Sequence, residues 1–134
     1  GKVKVWRAGD GTELNNHAGH SDAVDSVAVS PNGQMVVSAS RDGTLKVWPM
    51  EGKRYRSILS GHNGAVYVVA ISADGRRIAS GGNDATVRIW DAKSGKQVKV
   101  LKGHKKAVHI VSFLANGKLL TAAYDKVYKT WSVP

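Results

Sequence analysis

The sequence predicts an all-β protein in which a unit of four short antiparallel strands is repeated. Gly19-His20, Gly61-His62 and Gly103-His104 recur at an interval of 42 residues, and a fixed period of roughly 20–50 residues is typical of repeat proteins. Between these pairs, short runs of alternating polar and apolar residues are separated by turn residues, which is the pattern of short strands. No segment has the period of an amphipathic helix.

The first residues predict a pair of strands. Lys2–Trp6 alternates polar and apolar residues, Gly9-Asp10-Gly11 is a turn signal, and Thr12–His17 has the pattern of a weaker second strand. We interpret residues 1–17 as the last two strands of a unit whose first two strands are absent from the sequence.

Two complete units follow, over residues 18–59 and 60–101. Val24, Val27 and Val29 lie in the first strand, and Arg41-Asp42-Gly43 predicts a tight hairpin in which Gly43 is free to adopt a positive φ. The other strands of the first unit are predicted at Met35–Ala39, at Leu45–Trp48 and at Tyr55–Leu59. Those of the second unit are predicted at Val66–Ser72, Arg77–Gly81, Thr86–Trp90 and Gln97–Leu101.

Residues 102–134 form a third unit with only three predicted strands, at Val108–Leu114, Lys118–Ala122 and Val127–Trp131. This unit is one residue shorter than the others between Gly117 and Thr121, and Lys126 stands where the first unit has its turn glycine. The geometry of this hairpin is therefore the least determined by the sequence.

The composition is that of a single globular domain without a membrane span or disulfides. The chain has 134 residues, of which 42% are hydrophobic, enough for the core of one domain. It has no apolar run long enough to span a membrane and no signal-peptide pattern, and the lack of Met at Gly1 suggests a processed, trimmed or engineered start. The absence of cysteine excludes disulfides and thiol chemistry and fits a cytoplasmic location.

The repeated motifs of this sequence resemble those of the WD40 repeat family. Besides the Gly-His pairs, Trp6, Trp48, Trp90 and Trp131 recur at spacings of 42, 42 and 41 residues. Only Trp90 is followed by Asp, so the other repeats depart from the Trp-Asp pair of the family. The resemblance implies β-propeller blades of four antiparallel strands: three blades, the third without its outer strand, and an N-terminal strand pair from a partial fourth.

The resemblance also implies a hydrogen-bonded tetrad in each blade. Each Ser or Thr lies four residues before its Asp, and each Trp lies six residues after it. A buried indole N–H needs an acceptor, a hydroxyl can accept from it while donating to imidazole, and Asp can hold the imidazole and its own turn. The implied members are His20, Ser38, Asp42, Trp48; His62, Ser80, Asp84, Trp90; and His104, Thr121, Asp125, Trp131.

Ser, His and Asp in one network are also the components of a hydrolase site. We reject that reading because the set occurs three times and no serine lies in the strand–turn–helix of a nucleophile elbow. His17 and His20 lack a third ligand of the usual kind for a metal, and the sequence has no phosphate-binding P-loop. We therefore expect no enzymatic activity, no metal and no cofactor.

In propellers similar to this one, partners often dock on one face of the disc. The equivalent positions here flank the first-strand valine and precede the tetrad Asp. Tyr, Arg and His among them are side-chain types enriched in interface anchors, although these residues could also merely pack around the central channel. The candidate face consists of Ala23, Asp25, Arg41; Ala65, Tyr67, Asn83; and Ala107, His109, Tyr124.

The basic charge favours an alternative function, binding of nucleic acid or another polyanion. The net charge is +10, and residues 68–134 carry 12 basic against 4 acidic residues, whereas residues 1–67 carry 8 against 6. Lysines on an outer strand also block edge-to-edge aggregation, and aromatic residues are not interleaved with them, as single-strand binding would require. The basic cluster comprises Lys93, Lys96, Lys99, Lys102, Lys105 and Lys106, with Lys53, Arg54 and Arg56 one repeat earlier.

Three blades do not close a ring, since propellers typically have about 4–8 blades. Because an open arc exposes apolar faces, we expect Thr12–His17 of another copy to supply the missing outer strand of the third blade. Closure would give a homodimer with six blades or a homotrimer with nine, and Lys2–Trp6 would be surplus to the strands that the ring needs. The rival interpretation is that the chain is a piece of a longer propeller. The expected function is a self-assembling, non-enzymatic scaffold for protein or peptide partners, natural, truncated or engineered, without membrane contact.

Overall fold

The structure, a computed structural model, describes residues 1–134 and contains thirteen β-strands and no helix. This confirms the all-β prediction. The strands are β1 Lys2–Trp6, β2 Glu13–Ala18, β3 Val24–Val29, β4 Met35–Ser40, β5 Thr44–Pro49, β6 Ser57–Ser60, β7 Val66–Ile71, β8 Arg77–Gly82, β9 Val87–Asp91, β10 Gln97–Leu101, β11 Val108–Phe113, β12 Leu119–Ala123 and β13 Tyr128–Trp131.

The strands form four antiparallel sheets. β1 and β2 form the N-terminal strand pair. Blade 1 has the order β3-β4-β5-β6, blade 2 has the order β7-β8-β9-β10, and blade 3 contains only β11-β12-β13. Strands consecutive in sequence are neighbours in every sheet, as short hairpin connections require. The architecture is that of propeller blades, and blade 3 ends at its third strand.

The hairpin between the second and third strands has the same geometry in all three blades. Gly43, Ala85 and Lys126 have φ angles of 88°, 61° and 64°, and the amide of each donates to the carbonyl three residues earlier at 3.2 Å. The blade 3 hairpin is therefore as regular as the others, although Lys126 must place an L side chain in the left-handed region.

Strand boundaries differ from the predicted ones by one or two residues. The largest difference is at the outer strand of blade 1, which begins at Ser57 and not at Tyr55. The Tyr55 ring packs edge-on against Trp48, with 5.7 Å between the ring centroids, and the Lys46 ammonium lies 4.5 Å from the Tyr55 centroid. These contacts hold Tyr55 in the loop ahead of the strand.

The hydrophobic core lies between neighbouring sheets. Between blades 1 and 2, Leu45 and Val47 pack with Val66, Ile78 and Trp90, and all five are almost fully buried. Each blade thus covers one face of the next, and the burial of side chains of this size typically stabilises a fold by about 1.5–3 kcal/mol per residue.

The same contact recurs at the other two junctions. Ile89 and Leu101 of blade 2 pack with Val108 and Leu119 of blade 3. Val3 of the N-terminal strand pair lies in a smaller cluster with residues of blade 1. The strand pair therefore stands against blade 1 as a preceding blade would.

Candidate functional site

A hydrogen-bonded network links the loop before blade 1 to its inner strands. His20 Nδ1 lies 2.8 Å from Asp42 Oδ2, and His20 Nε2 lies 2.7 Å from Ser38 Oγ. Trp48 Nε1 donates to the same Ser38 oxygen at 2.9 Å. Ser38 and Trp48 are fully buried, so the hydroxyl satisfies two polar groups that no water reaches.

Blades 2 and 3 contain the same network. In blade 2, His62 bridges Asp84 at 3.1 Å and Ser80 at 2.8 Å, while Trp90 donates to Ser80 at 2.9 Å. In blade 3, the corresponding distances are 3.0 Å from His104 to Asp125, 2.8 Å from His104 to Thr121 and 2.8 Å from Trp131 to Thr121. The structure thus brings together each set of four residues named from the sequence. Trp6 makes no such bond.

Burial and hydrogen bonding act in opposite directions on the ionisable members. Desolvation is the largest influence on Asp42 and raises its pKa, but hydrogen bonds from Thr44 and His20 outweigh it and lower the pKa to about 2. Desolvation lowers the pKa of His20 more than Asp42 raises it, and His62 shows the same balance against Asp84. A neutral imidazole beside an ionised carboxylate is the resulting state at neutral pH.

The geometry of these networks is unlike that of a hydrolytic triad. A nucleophilic serine must face a substrate, whereas Ser80 is fully buried and its oxygen already accepts from the Trp90 indole. The networks instead join the loop ahead of each blade to its second and third strands.

A second set of residues, contributed by all three blades, converges on one concavity. The ladder between the first and second strands shifts register once in each blade, between Val24 and Ser26, between Val66 and Val68, and between Val108 and Ile110. The residue skipped at each shift is Asp25, Tyr67 or His109. A β-bulge of this kind re-aims a side chain, and the strands predicted from the sequence did not include it.

The residues before the tetrad Asp are held by a matching backbone bond. The amides of Arg41, Asn83 and Tyr124 donate to the carbonyls of Ala23, Ala65 and Ala107 at 3.0, 2.9 and 3.0 Å. The same contact in three blades sets the side chains at one level, next to the bulges.

Six side chains from the three blades line one concavity of about 550 Å³. Arg41 donates to Asp25 through two bonds, Nε to Oδ2 at 2.9 Å and Nη2 to Oδ1 at 3.2 Å. The His109 and Tyr124 rings stack with centroids 4.4 Å apart. The lining consists of Asp25, Arg41, Tyr67, Asn83, His109 and Tyr124, together with Ala107. Ala23 and Ala65, also predicted for this face, are not part of the lining.

The burial of two polar side chains, His17 and Lys46, was not predicted from the sequence. His17 is fully buried and stacks on Trp48 with 4.9 Å between centroids, and neither of its ring nitrogens has a hydrogen-bond partner. Burial lowers its pKa. Lys46 is buried beneath Tyr55 and donates to the Gly19 carbonyl. His17 occupies the same position of its repeat as Leu59 and Leu101 of the other outer strands. This equivalence is the sequence evidence that its side chain points inward.

The remaining candidates are dispersed. No three His, Asp or Glu side chains come together as a metal-binding group, and His17 and His20 make separate contacts with Trp48. No helix of the chain could cross a membrane. The lysines of the basic cluster from Lys93 to Lys106 lie on and around β10, the outer edge of blade 2, and are exposed. Its other members, Lys53, Arg54 and Arg56, are exposed between β5 and β6 of blade 1.

Repeated antiparallel blades, each with a hydrogen-bonded network of His, Ser or Thr, Asp and Trp, define a repeat protein of the propeller class. The family model described as "WD domain, G-beta repeat" matches residues 11–49, 53–91 and 95–132. The chain therefore belongs to the WD40 repeat family, which confirms the resemblance.

Several curated proteins are similar to part of the chain. The small ribosomal subunit protein RACK1 of Caenorhabditis elegans is 42% identical over 52 residues, which are 38% of this chain and 16% of that protein. Telomerase protein component 1 of Mus musculus is 41% identical over 58 residues, 43% of this chain and 2% of that protein. Cross-pathway control WD-repeat protein 2 of Flammulina velutipes is 37% identical over 57 residues, 42% of this chain and 18% of that protein. The matched segments thus span less than a fifth of these relatives.

Proposed function

We propose that the protein is a non-enzymatic scaffold that binds a protein or peptide partner at the concavity between its three blades. The observation that supports this most directly is the convergence of Asp25, Arg41, Tyr67, Asn83, His109 and Tyr124 on that concavity. Tyr124 is 63% exposed. An exposed aromatic ring on a rigid scaffold, beside a guanidinium and an imidazole, is the composition of an interface hot spot.

The tetrads serve to hold this face in place. The bond between His20 and Asp42 joins the loop that leads into β3, the strand of Asp25, to the hairpin that contains Arg41. The equivalent pairs do so in blades 2 and 3. A preorganised face costs less conformational entropy on binding than a flexible one. The networks therefore support binding without contacting the partner.

We also propose that copies of the chain associate into a closed ring, and that the protein works in the cytoplasm. Exposed apolar side chains at both ends of the arc, among them Val27, Val29 and Ile110, support association because soluble chains avoid such patches. The lack of cysteine supports the location.

Selection from a random peptide library tests the binding face. We expect enriched peptides to bind the wild-type protein with an affinity that changes little between low and high salt. Binding should be lost in the double variant Tyr67→Ala, Tyr124→Ala and kept in Val98→Ala, which changes an exposed residue of β10 far from the concavity.

The alternative of polyanion binding gives the opposite result. In that case no peptide is enriched, and single-stranded DNA or heparin binds with an affinity that falls steeply with salt. That binding would survive the tyrosine double variant and weaken when Lys99 and Lys102 are replaced by Ala.

A further inference from the structure

A cleft lies between blades 1 and 2, at the opposite ends of the strands from the concavity. It is lined mainly by the turn from β3 to β4, the turn from β7 to β8, the turn from β9 to β10 and the residue before β6, and its volume is about 300 Å³. Asp25 and Tyr67 of the concavity lie near the starts of β3 and β7, whereas the cleft lies beyond the ends of these strands. Because strands of six residues span about 20 Å, the two sites do not overlap.

Backbone bonds fix the walls of this cleft within each blade. The amide of Met50 donates to the carbonyl of Gln34 at 2.9 Å, and the amide of Ala92 donates to the carbonyl of Arg76 at 3.0 Å. In each blade the bond ties the turn after the first strand to the segment after the third strand. The cleft is therefore preformed and does not need to be ordered by a ligand.

A close contact between the two blades brings two basic side chains to the same cleft. Gly95 has a φ angle of 71°, and a Cβ on it would lie 3.1 Å from Leu59 Cδ2 and 3.3 Å from Ser57 Cβ. The turn from β9 to β10 therefore packs directly against β6. Lys93, two residues before Gly95, and Arg56, one residue before Ser57, both line the cleft as a result.

The two cations of the cleft have no carboxylate partner. Arg56 and Lys93 are exposed, and neither takes part in any ion pair of the chain. The carboxylate in the lining, Asp74, accepts instead from Ser72 Oγ at 2.6 Å and from the Arg76 amide at 2.9 Å. These bonds hold the pKa of Asp74 below its ordinary value, so the lining carries two positive charges and one negative charge at neutral pH.

The fold does not require charge at this position. The corresponding cleft between blades 2 and 3 is lined largely by apolar residues, among them Phe113 and Leu114, and its one cation, Arg77, donates to Asp91 at 3.0 Å. Val98 occupies the position of its repeat that Arg56 has in blade 1. The unpaired cations are therefore a property of the junction between blades 1 and 2 and not of the repeat.

We propose that the cleft between blades 1 and 2 binds an acidic segment of a protein partner, whose carboxylates pair with Arg56 and Lys93. Complementary charge steers association and orients the partner, and a guanidinium can donate to a carboxylate through two parallel N–H groups. The cleft is a contact site separate from the concavity, and it goes beyond the binding proposed there.

The lining favours a peptide over a single-stranded nucleic acid. Ionised Asp74 repels a phosphate backbone, which carries charge at every unit, whereas a peptide can place an uncharged residue beside it. No aromatic side chain lines the cleft, so bases would find no ring on which to stack.

A capped, fluorescein-labelled hexapeptide of glutamate is the probe for this site, and the labelled glutamine hexapeptide is its uncharged control. Fluorescence anisotropy at physiological salt measures both affinities. We expect the double variant Arg56→Gln, Lys93→Gln to bind the glutamate peptide about tenfold more weakly than the wild type does, because two exposed ion pairs together contribute about one factor of ten.

The double variant Lys99→Gln, Lys102→Gln is the matched control. It removes the same charge from β10 and the residue after it, which do not line the cleft, and its affinity should stay within about twofold of the wild type. All four side chains are exposed, so neither double variant should change thermal unfolding.

Asp74→Asn tests the sign of the charge effect. We expect it to tighten binding of the glutamate peptide by about threefold, because it removes a like charge from the lining. Asn32 holds the equivalent place in blade 1, where its Oδ1 accepts from Ser30 Oγ at 2.7 Å and from the Gln34 amide at 3.0 Å. An amide at position 74 can therefore keep the same two bonds.

Three results would overturn the inference. No binding by the wild type, or equal losses in the two double variants, would mean that the cleft makes no specific contact with the acidic peptide. Displacement of the peptide by an oligothymidylate of equal total charge would assign the cleft to nucleic acid. Loss of binding in Tyr67→Ala, Tyr124→Ala would place the acidic peptide in the concavity, and the proposed function would then stand without the cleft.

Discussion

Replacement of Ser80 by Ala is the sharpest test of the tetrads. The change removes the acceptor of the Trp90 indole N–H and the partner of His62 Nε2, at 2.9 and 2.8 Å. Both groups are buried where water does not replace the hydroxyl. Each buried polar group left without a partner costs about 1–3 kcal/mol, so we expect Ser80→Ala to lower the free energy of unfolding by about 3 kcal/mol.

The third blade supplies a matched comparison. Trp131 is only partly buried, so water can reach its indole when Thr121 is replaced by Ala, and we expect a loss of about 1–2 kcal/mol. Ser80→Thr keeps a hydroxyl of the kind that blade 3 uses naturally and should cost less than Ser80→Ala.

Urea unfolding followed by tryptophan fluorescence gives these differences from the shift in midpoint at constant m-value. A loss below about 1 kcal/mol for Ser80→Ala, or a larger loss for Thr121→Ala, would refute the account of the buried hydroxyl as a shared partner.

Three further changes test other features, each by the same unfolding assay. His17→Leu should stabilise the fold and flatten its pH dependence: burial lowers the pKa of His17 below its ordinary 6.5, so the unfolded chain binds a proton first and stability is lost as pH falls below about 6.5. Ala85→Gly should stabilise by about 0.5–1 kcal/mol, because a φ of 61° strains an L residue. Gly81→Ala should destabilise by about 1–3 kcal/mol, because its Cβ would lie 2.5 Å from Val108 Cγ1 at the junction of blades 2 and 3.

Each of these predictions has a defined contrary result. An unchanged pH dependence of stability in His17→Leu would mean that other groups cause the loss of stability at acid pH. A destabilised Ala85→Gly would mean that the hairpin gains nothing from glycine. Gly9→Ala is the control for Gly81→Ala, because a Cβ at Gly9 meets no atom within 4 Å; equal losses in both would contradict the clash.

The sequence predicted those features that repeat at a fixed interval. The 42-residue spacing of the Gly-His pairs located the blades, and the same comparison marked the position of each tetrad member. Strand ends were less well predicted because tertiary contacts decide them, as for Tyr55, whose ring is held by Trp48 and Lys46 ahead of β6.

Features that depend on register or on a neighbouring sheet were beyond the sequence. The bulges that aim Asp25, Tyr67 and His109 are visible only in the pairing of strands. The burial of His17 depends on how the strand pair stands against blade 1. Its repeat position, shared with Leu59 and Leu101, indicates an inward-facing side chain but not the contact with Trp48.

The tetrad bonds have a consequence for how such a chain can grow. Each one joins residues of a single repeat, from His20 to Trp48, from His62 to Trp90 and from His104 to Trp131. The contacts between repeats are mainly apolar, with isolated hydrogen bonds such as that from the Val69 amide to Ser26. A change of the gene that adds or removes one whole repeat therefore leaves every remaining tetrad intact and exposes a mainly apolar surface. Repeat number can therefore change by whole units without loss of a tetrad, provided that the newly exposed apolar face is covered again.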